Sequence, residues 1–122
     1  MKFNILGSSS LKVSDICLGT MTWGIQNTQQ DADAQMAMAL DAGVNFIDTA
    51  EMYPVPPNAD TYGDTERIIG NWIARNQDAR NNIVVMTKVA GAGLKYIREG
   101  GPITASSLTT ALDESLARLH TD

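Results

Sequence analysis

The stretch Ile83-Val84-Val85-Met86-Thr87-Lys88 reads as a β-strand, because β-branched residues dominate it and the glycine-rich run Gly91-Ala92-Gly93 follows. It ends on a charged residue, Lys88. Beyond it, Leu108, Leu112, Leu116 and Leu119 recur at helical spacing. Thr104 or Ser106 is placed to cap that helix, and Glu114 and Arg118 stand one turn apart on it. Strand and helix together make one β/α unit.

The same order appears twice upstream. Val44-Asn45-Phe46-Ile47-Asp48-Thr49 is a short strand running into polar residues. Pro54, Pro56 and Pro57 then forbid helix, until Asp64 or Thr65 can cap one carrying Ile68, Ile69, Trp72 and Ile73. Further back, Asp15-Ile16-Cys17-Leu18-Gly19-Thr20 suits a strand buried on both faces. Its helix carries Met36, Ala39 and Leu40, with Thr28 or Asp31 as cap and Gly43 as the left-handed residue that ends it. The repeated order predicts an α/β fold with a parallel sheet. Ahead of it, Phe3–Leu6 and Leu11–Val13 flank the turn-rich Gly7-Ser8-Ser9-Ser10, which predicts a small hairpin.

Composition narrows the function. The chain has 122 residues, 43 % hydrophobic and 19 % charged, which suits one folded domain over 1–122. A net charge of -5 without basic runs argues against nucleic acid or an anionic membrane surface as partner. A single cysteine, Cys17, cannot form an internal disulfide, and its apolar surroundings predict burial. Neither a signal-peptide core nor a run of about 18 apolar residues is visible, and the expected location is the cytoplasm.

In parallel α/β folds, ligands sit beyond the C-terminal ends of the strands. That rule brings Thr20, Asp48, Tyr53 and Lys88 toward one rim. A lysine between a carboxylate and a phenol lowers the phenol's pKa, so tyrosine can donate a proton near neutral pH. Each residue also has an ordinary reading: Asp48 as a loop cap, Tyr53 as packing beside Pro54, Lys88 as a solvated strand end.

Three segments tip the balance: Leu18-Gly19-Thr20-Met21, Asp48-Thr49-Ala50-Glu51-Met52-Tyr53 and Met86-Thr87-Lys88-Val89. Together with Gly63, Thr65-Glu66 and the run Ser115 to Asp122, they resemble the aldo-keto reductase family in order and over nearly the whole chain. The stretch Ala50 to Pro57 is similar to the bacterial Tas-like branch. The resemblance implies the N-terminal part of a (β/α)8 TIM barrel, with about three β/α units after the hairpin. It implies an NADPH-dependent oxidoreductase that reduces aldehydes or ketones to alcohols by hydride transfer. By the same resemblance Tyr53 is the general acid, Lys88 lowers its pKa, and Asp48 orients Lys88. Thr20, Met21, Gln26 and Asp48 align with positions that contact the nicotinamide half of the cofactor. No metal site is implied.

Such a barrel needs about 250 residues, with about 200 as a lower limit. The family's catalytic histidine follows the next strand, so His120, on the last helical turn, is read as structural. Gly91-Ala92-Gly93 does not begin a dinucleotide fingerprint, because Tyr96 stands where its third glycine belongs. Incomplete closure predicts open strand edges, hence self-association or low stability, and an inactive chain when alone. Two other readings share the resemblance: a cofactor-binding regulatory subunit similar to potassium-channel β-subunits, and an inactive truncated fragment.

Overall fold

The computed structural model describes residues 1–122. Along the chain come β1 (Phe3–Ile5), β2 (Lys12–Ser14), β3 (Cys17–Gly19), α1 (Gln29–Asp41), β4 (Phe46–Asp48), α2 (Asp64–Arg75), α3 (Gln77–Arg80), β5 (Val84–Met86) and α4 (Ala105–Leu119). The hairpin β1–β2 is antiparallel and separate from a parallel sheet in the order β3-β4-β5. In that sheet Leu18, Ile47 and Val85 share one register. Helices α1 and α2 make the crossovers, which gives three β/α units behind a hairpin, as the sequence predicts.

The core lies between the sheet and its helices. Met36 of α1, Ile47 of β4 and Ile69 of α2 are wholly buried, and Trp23, Trp72 and Ile73 pack with them. Burying an aliphatic side chain of this size stabilises by about 1.5–3 kcal/mol, so this cluster dominates the fold's free energy. Helix α2 lies between α1 and α4. At Gly70 the approach is so close that a Cβ would lie 2.1 Å from the carbonyl oxygen of Arg118.

Several expectations need correction. Strand β3 is not buried on both faces: Leu18 packs against the core, while Cys17, on the opposite face with Asp48 and Lys88, is exposed because no helix covers that face. Neither Asp64 nor Thr65 caps α2: Gly63, at φ 81°, holds the cap position, while Asp64 pairs with Arg67 and the Thr65 hydroxyl donates to the Trp23 carbonyl at 2.7 Å. Thr28 and Asp31 act together on α1 as a reciprocal capping box, and Thr104, not Ser106, does the same with Ser107 on α4. The leucine stripe of α4 turns inward only toward its C-terminal end. Ala111, Ser115 and Leu119 face inward, and Leu108 and Leu112 are half exposed. Arg118 takes Glu66 at 2.6 Å as its close partner and stands 3.9 Å from Glu114. The short helix α3 has too few residues to show a period in the sequence. No helix is long and apolar enough to cross a membrane.

Candidate active site

Strand register builds the site. Asp48, the last residue of β4, lies opposite Gly19 of β3 and Met86 of β5. The ladder then continues past the strands: Thr49 N–H donates to the Met86 carbonyl at 2.9 Å, and Glu51 N–H donates to the Lys88 carbonyl at 3.0 Å. Lys88 is therefore carried alongside the Asp48–Glu51 segment by backbone pairing. Its Nζ donates to Asp48 Oδ1 at 2.6 Å and to the Thr49 carbonyl at 2.7 Å. The same ammonium lies 4.9 Å from the centre of the Tyr53 ring, over its face. Asp48, Tyr53 and Lys88 thus meet at one rim.

The surrounding loops fix Tyr53. Its N–H donates to the Ala50 carbonyl at 3.1 Å, its carbonyl accepts from Gly63 N–H at 2.9 Å, and Val55 N–H donates to the Met21 carbonyl at 2.8 Å. Thr20 is fully buried, and its hydroxyl donates to the Asp48 carbonyl at 2.7 Å. It acts on the site through Asp48. Met21 is half exposed on the neighbouring loop, and Gln26 is exposed with its N–H donating to the Thr22 carbonyl. The exposed Cys17 thiol is pushed up by partial desolvation and then by the Asp48 carboxylate, against an opposing pull from Lys88. His120 ends α4 in a left-handed conformation at φ 52° and is exposed.

Two fully buried carboxylates, absent from the sequence reading as site residues, support this rim from behind. Glu66, on the first turn of α2, accepts from the Thr87 hydroxyl at 2.6 Å and from Arg118 at 2.6 Å. Glu51 is gripped by both terminal nitrogens of Arg98 and accepts from Ala90 N–H at 2.8 Å. Burial alone would raise the Glu51 carboxyl, but the Arg98 guanidinium and the Ala90 N–H hold it below its ordinary 4.5. The segment 89–102 is thereby fastened at Ala90 and Arg98. Glu66 had a detectable signal, since it falls on the same α2 face as Ile69 and Ile73. Arg98 had none, being 47 residues from Glu51.

The sequence pattern of the Aldo/keto reductase family matches residues 15–122. The chain belongs to that family. It is similar to Protein tas of Escherichia coli strain K12, with 43 % identity over all of this chain and 36 % of that protein. An uncharacterized oxidoreductase of Bacillus subtilis, YrpG, is 43 % identical over 73 % of this chain and 26 % of its own length. Among solved structures, a Pseudomonas aeruginosa protein provisionally assigned as an aldo-keto reductase superposes with a TM-score of 0.74 at 30 % identity, over 98 % of this chain and 42 % of that one. The chain spans about a third of the length of the curated relatives it matches first. Its fold is the N-terminal part of their (β/α)8 barrel.

Proposed function

We propose that this chain supplies the proton-transfer and nicotinamide-facing part of an NADPH-dependent oxidoreductase that reduces aldehydes or ketones to alcohols. The observation that carries the reading is one ammonium, Lys88, in contact with both a carboxylate and the face of a phenol ring at the C-terminal rim of a parallel sheet. The donor set suits a nicotinamide: a carboxylate and an ammonium beside the half-exposed, apolar Met21. When bound, the reduced nicotinamide supplies hydride to the carbonyl carbon.

The chain's own residues then manage one proton. Tyr53 donates its phenolic proton to the carbonyl oxygen as negative charge develops there. The Lys88 charge faces the phenoxide left behind and stabilises it. Asp48 and the Thr49 carbonyl take two of the three Lys88 protons and so fix where that charge sits. Tyr53 is half buried, so solvent can return its proton.

The test is NADPH oxidation with a generic aldehyde by a complete barrel carrying these residues, beside a fluorescence titration of the chain itself with NADPH that uses Trp23 and Trp72 as reporters. Tyr53→Phe is expected to lose about 10²- to 10⁴-fold in turnover while keeping its affinity for NADPH, because only the proton donor is removed. Equal turnover by Tyr53→Phe overturns the reading. Saturable NADPH binding with negligible turnover by a complete barrel carrying these residues favours a redox-sensing binding subunit instead.

A further inference from the structure

The Lys88-Val89-Ala90 segment is held from one residue. Glu51 donates its backbone N–H to the Lys88 carbonyl, and its side chain accepts the Ala90 N–H. The carboxylate stands where the next carbonyl of the ladder would stand, so the pairing that began in β4 and β5 is completed by a side chain. That carboxylate is fully buried, and a buried charge is tolerated only when paired.

Arg98 supplies the pairing from an unusual backbone. Arg98, Glu99 and Gly100 are three successive residues with positive φ, at 46°, 58° and 70°. Two of them are not glycine, and side chains rarely adopt this left-handed conformation. The turn is closed by Gly100 N–H donating to the Ile97 carbonyl and Gly93 N–H donating to the Gly100 carbonyl. Its effect is to deliver one guanidinium, 19 % exposed, to both oxygens of Glu51. The geometry points to Glu51 and Arg98 as a positioning pair: the guanidinium keeps the Glu51 carboxylate charged and in place, and the carboxylate keeps Lys88 beside Asp48 and Tyr53.

This inference rests on the proposed role of Lys88, yet it has a readout independent of turnover. The rate at which an amine-acylating reagent labels Lys88 reports how firmly its ammonium is held, and Lys2 and Lys12, on the hairpin side, serve as internal references. Labelling is measured by peptide mass spectrometry on the unaltered chain and on Arg98→Ala, Glu51→Gln and the double variant. All are held at a temperature where circular dichroism shows them folded.

Arg98→Ala leaves an unpaired buried charge that must move or take up a proton, and Lys88 labelling is expected to rise on the order of fivefold over the references. Glu51→Gln keeps an acceptor for Ala90 N–H without the charge. The double variant is therefore expected to return Lys88 to within about twofold of the unaltered chain. A Lys88 rate in Arg98→Ala that tracks Lys2 and Lys12 overturns the inference, as does a double variant no better held than Arg98→Ala. Should Arg98→Ala fail to fold, Arg98→Lys carries the test. It keeps the charge but not the two-pronged contact, and an unchanged Lys88 rate there overturns the inference. In parallel, Arg98→Ala is expected to lower kcat for aldehyde reduction with little change in NADPH affinity. Absence of turnover in every variant, measured in a complete barrel, counts against the proposed reaction alone, and the labelling result still decides the positioning pair.

Discussion

Helices α2 and α4 belong to the same layer and carry apolar residues at the same spacing, yet they are fastened by different means. Helix α2 has a neighbour on either side and buries Ile69, Trp72 and Ile73 completely or nearly so. Helix α4 leans chiefly on α2, through Ala111, Ser115, Leu119 and the Arg118–Glu66 pair, and leaves Leu108 and Leu112 half exposed beside Val89. The contrast shows that a stripe of leucines says where a helix could pack, while the neighbours present decide where it does. For α4, close approach at Gly70 and one buried charge pair outweigh the larger apolar face.

The largest test of that contrast is Arg118→Ala. It leaves Glu66 buried without its cation, and a loss of about 4 kcal/mol is expected in denaturant unfolding. A loss no greater than that of an ordinary surface substitution would break the claim that charge fastens α4. Next comes Ile69→Ala, which opens a cavity in the cluster shared by α1, α2 and the sheet and is expected to lower stability by about 3 kcal/mol.

Acid sharpens the comparison, since apolar burial is indifferent to pH and the charged fastenings are not. The Glu51 carboxyl lies below its ordinary 4.5 in the folded chain, so the unfolded chain binds a proton first as pH falls. The stability it contributes is present in full above about pH 5, where the unfolded carboxylate is ionised, and is lost as pH falls through the folded value. Asp33, paired with Arg75 between α1 and α2, is likewise lowered and acts in the same direction. Thermal midpoints are expected to be flat above pH 5 and to fall below it, with Glu51→Gln flattening the acid limb. The smallest effect is that of Leu112→Ala, expected within about 0.5 kcal/mol of the unaltered chain because its side chain is already half in water. A cost near that of Ile69→Ala would mean that the exposed leucines are covered in solution.

The parts legible in the sequence were those set by local period and strand polarity. A β-branched run placed β5 and short apolar runs placed β3 and β4, and the residues at or just past their ends, Asp48, Tyr53 and Lys88, converge as that polarity requires. What stayed hidden depends on distant partners. Glu51 looks like any loop carboxylate until Arg98 arrives through a left-handed turn that no propensity favours, and the cap of α2 is a glycine where two better capping residues follow it. Cys17 reads as core because its neighbours are apolar, and its exposure follows from its place on the sheet face opposite the helices.

The hairpin is hydrogen-bonded to the sheet side around one residue, Asn45. Asn45, just before β4, accepts Ser14 N–H at 2.8 Å, donates its own N–H to the Ser14 hydroxyl at 3.1 Å, and donates Nδ2 to the Lys12 carbonyl at 3.0 Å. Asn45 and the Ser14 hydroxyl are the two side chains in this junction, Val13 and Ser14 are buried at it, and Phe3, Ile5, Leu6 and Leu11 all reach solvent. Residues 1 to 14 accordingly form the first unit to open in native-state hydrogen exchange, like a flap hinged on one pin, and their amides report that motion while those of β4 report the melting of the whole.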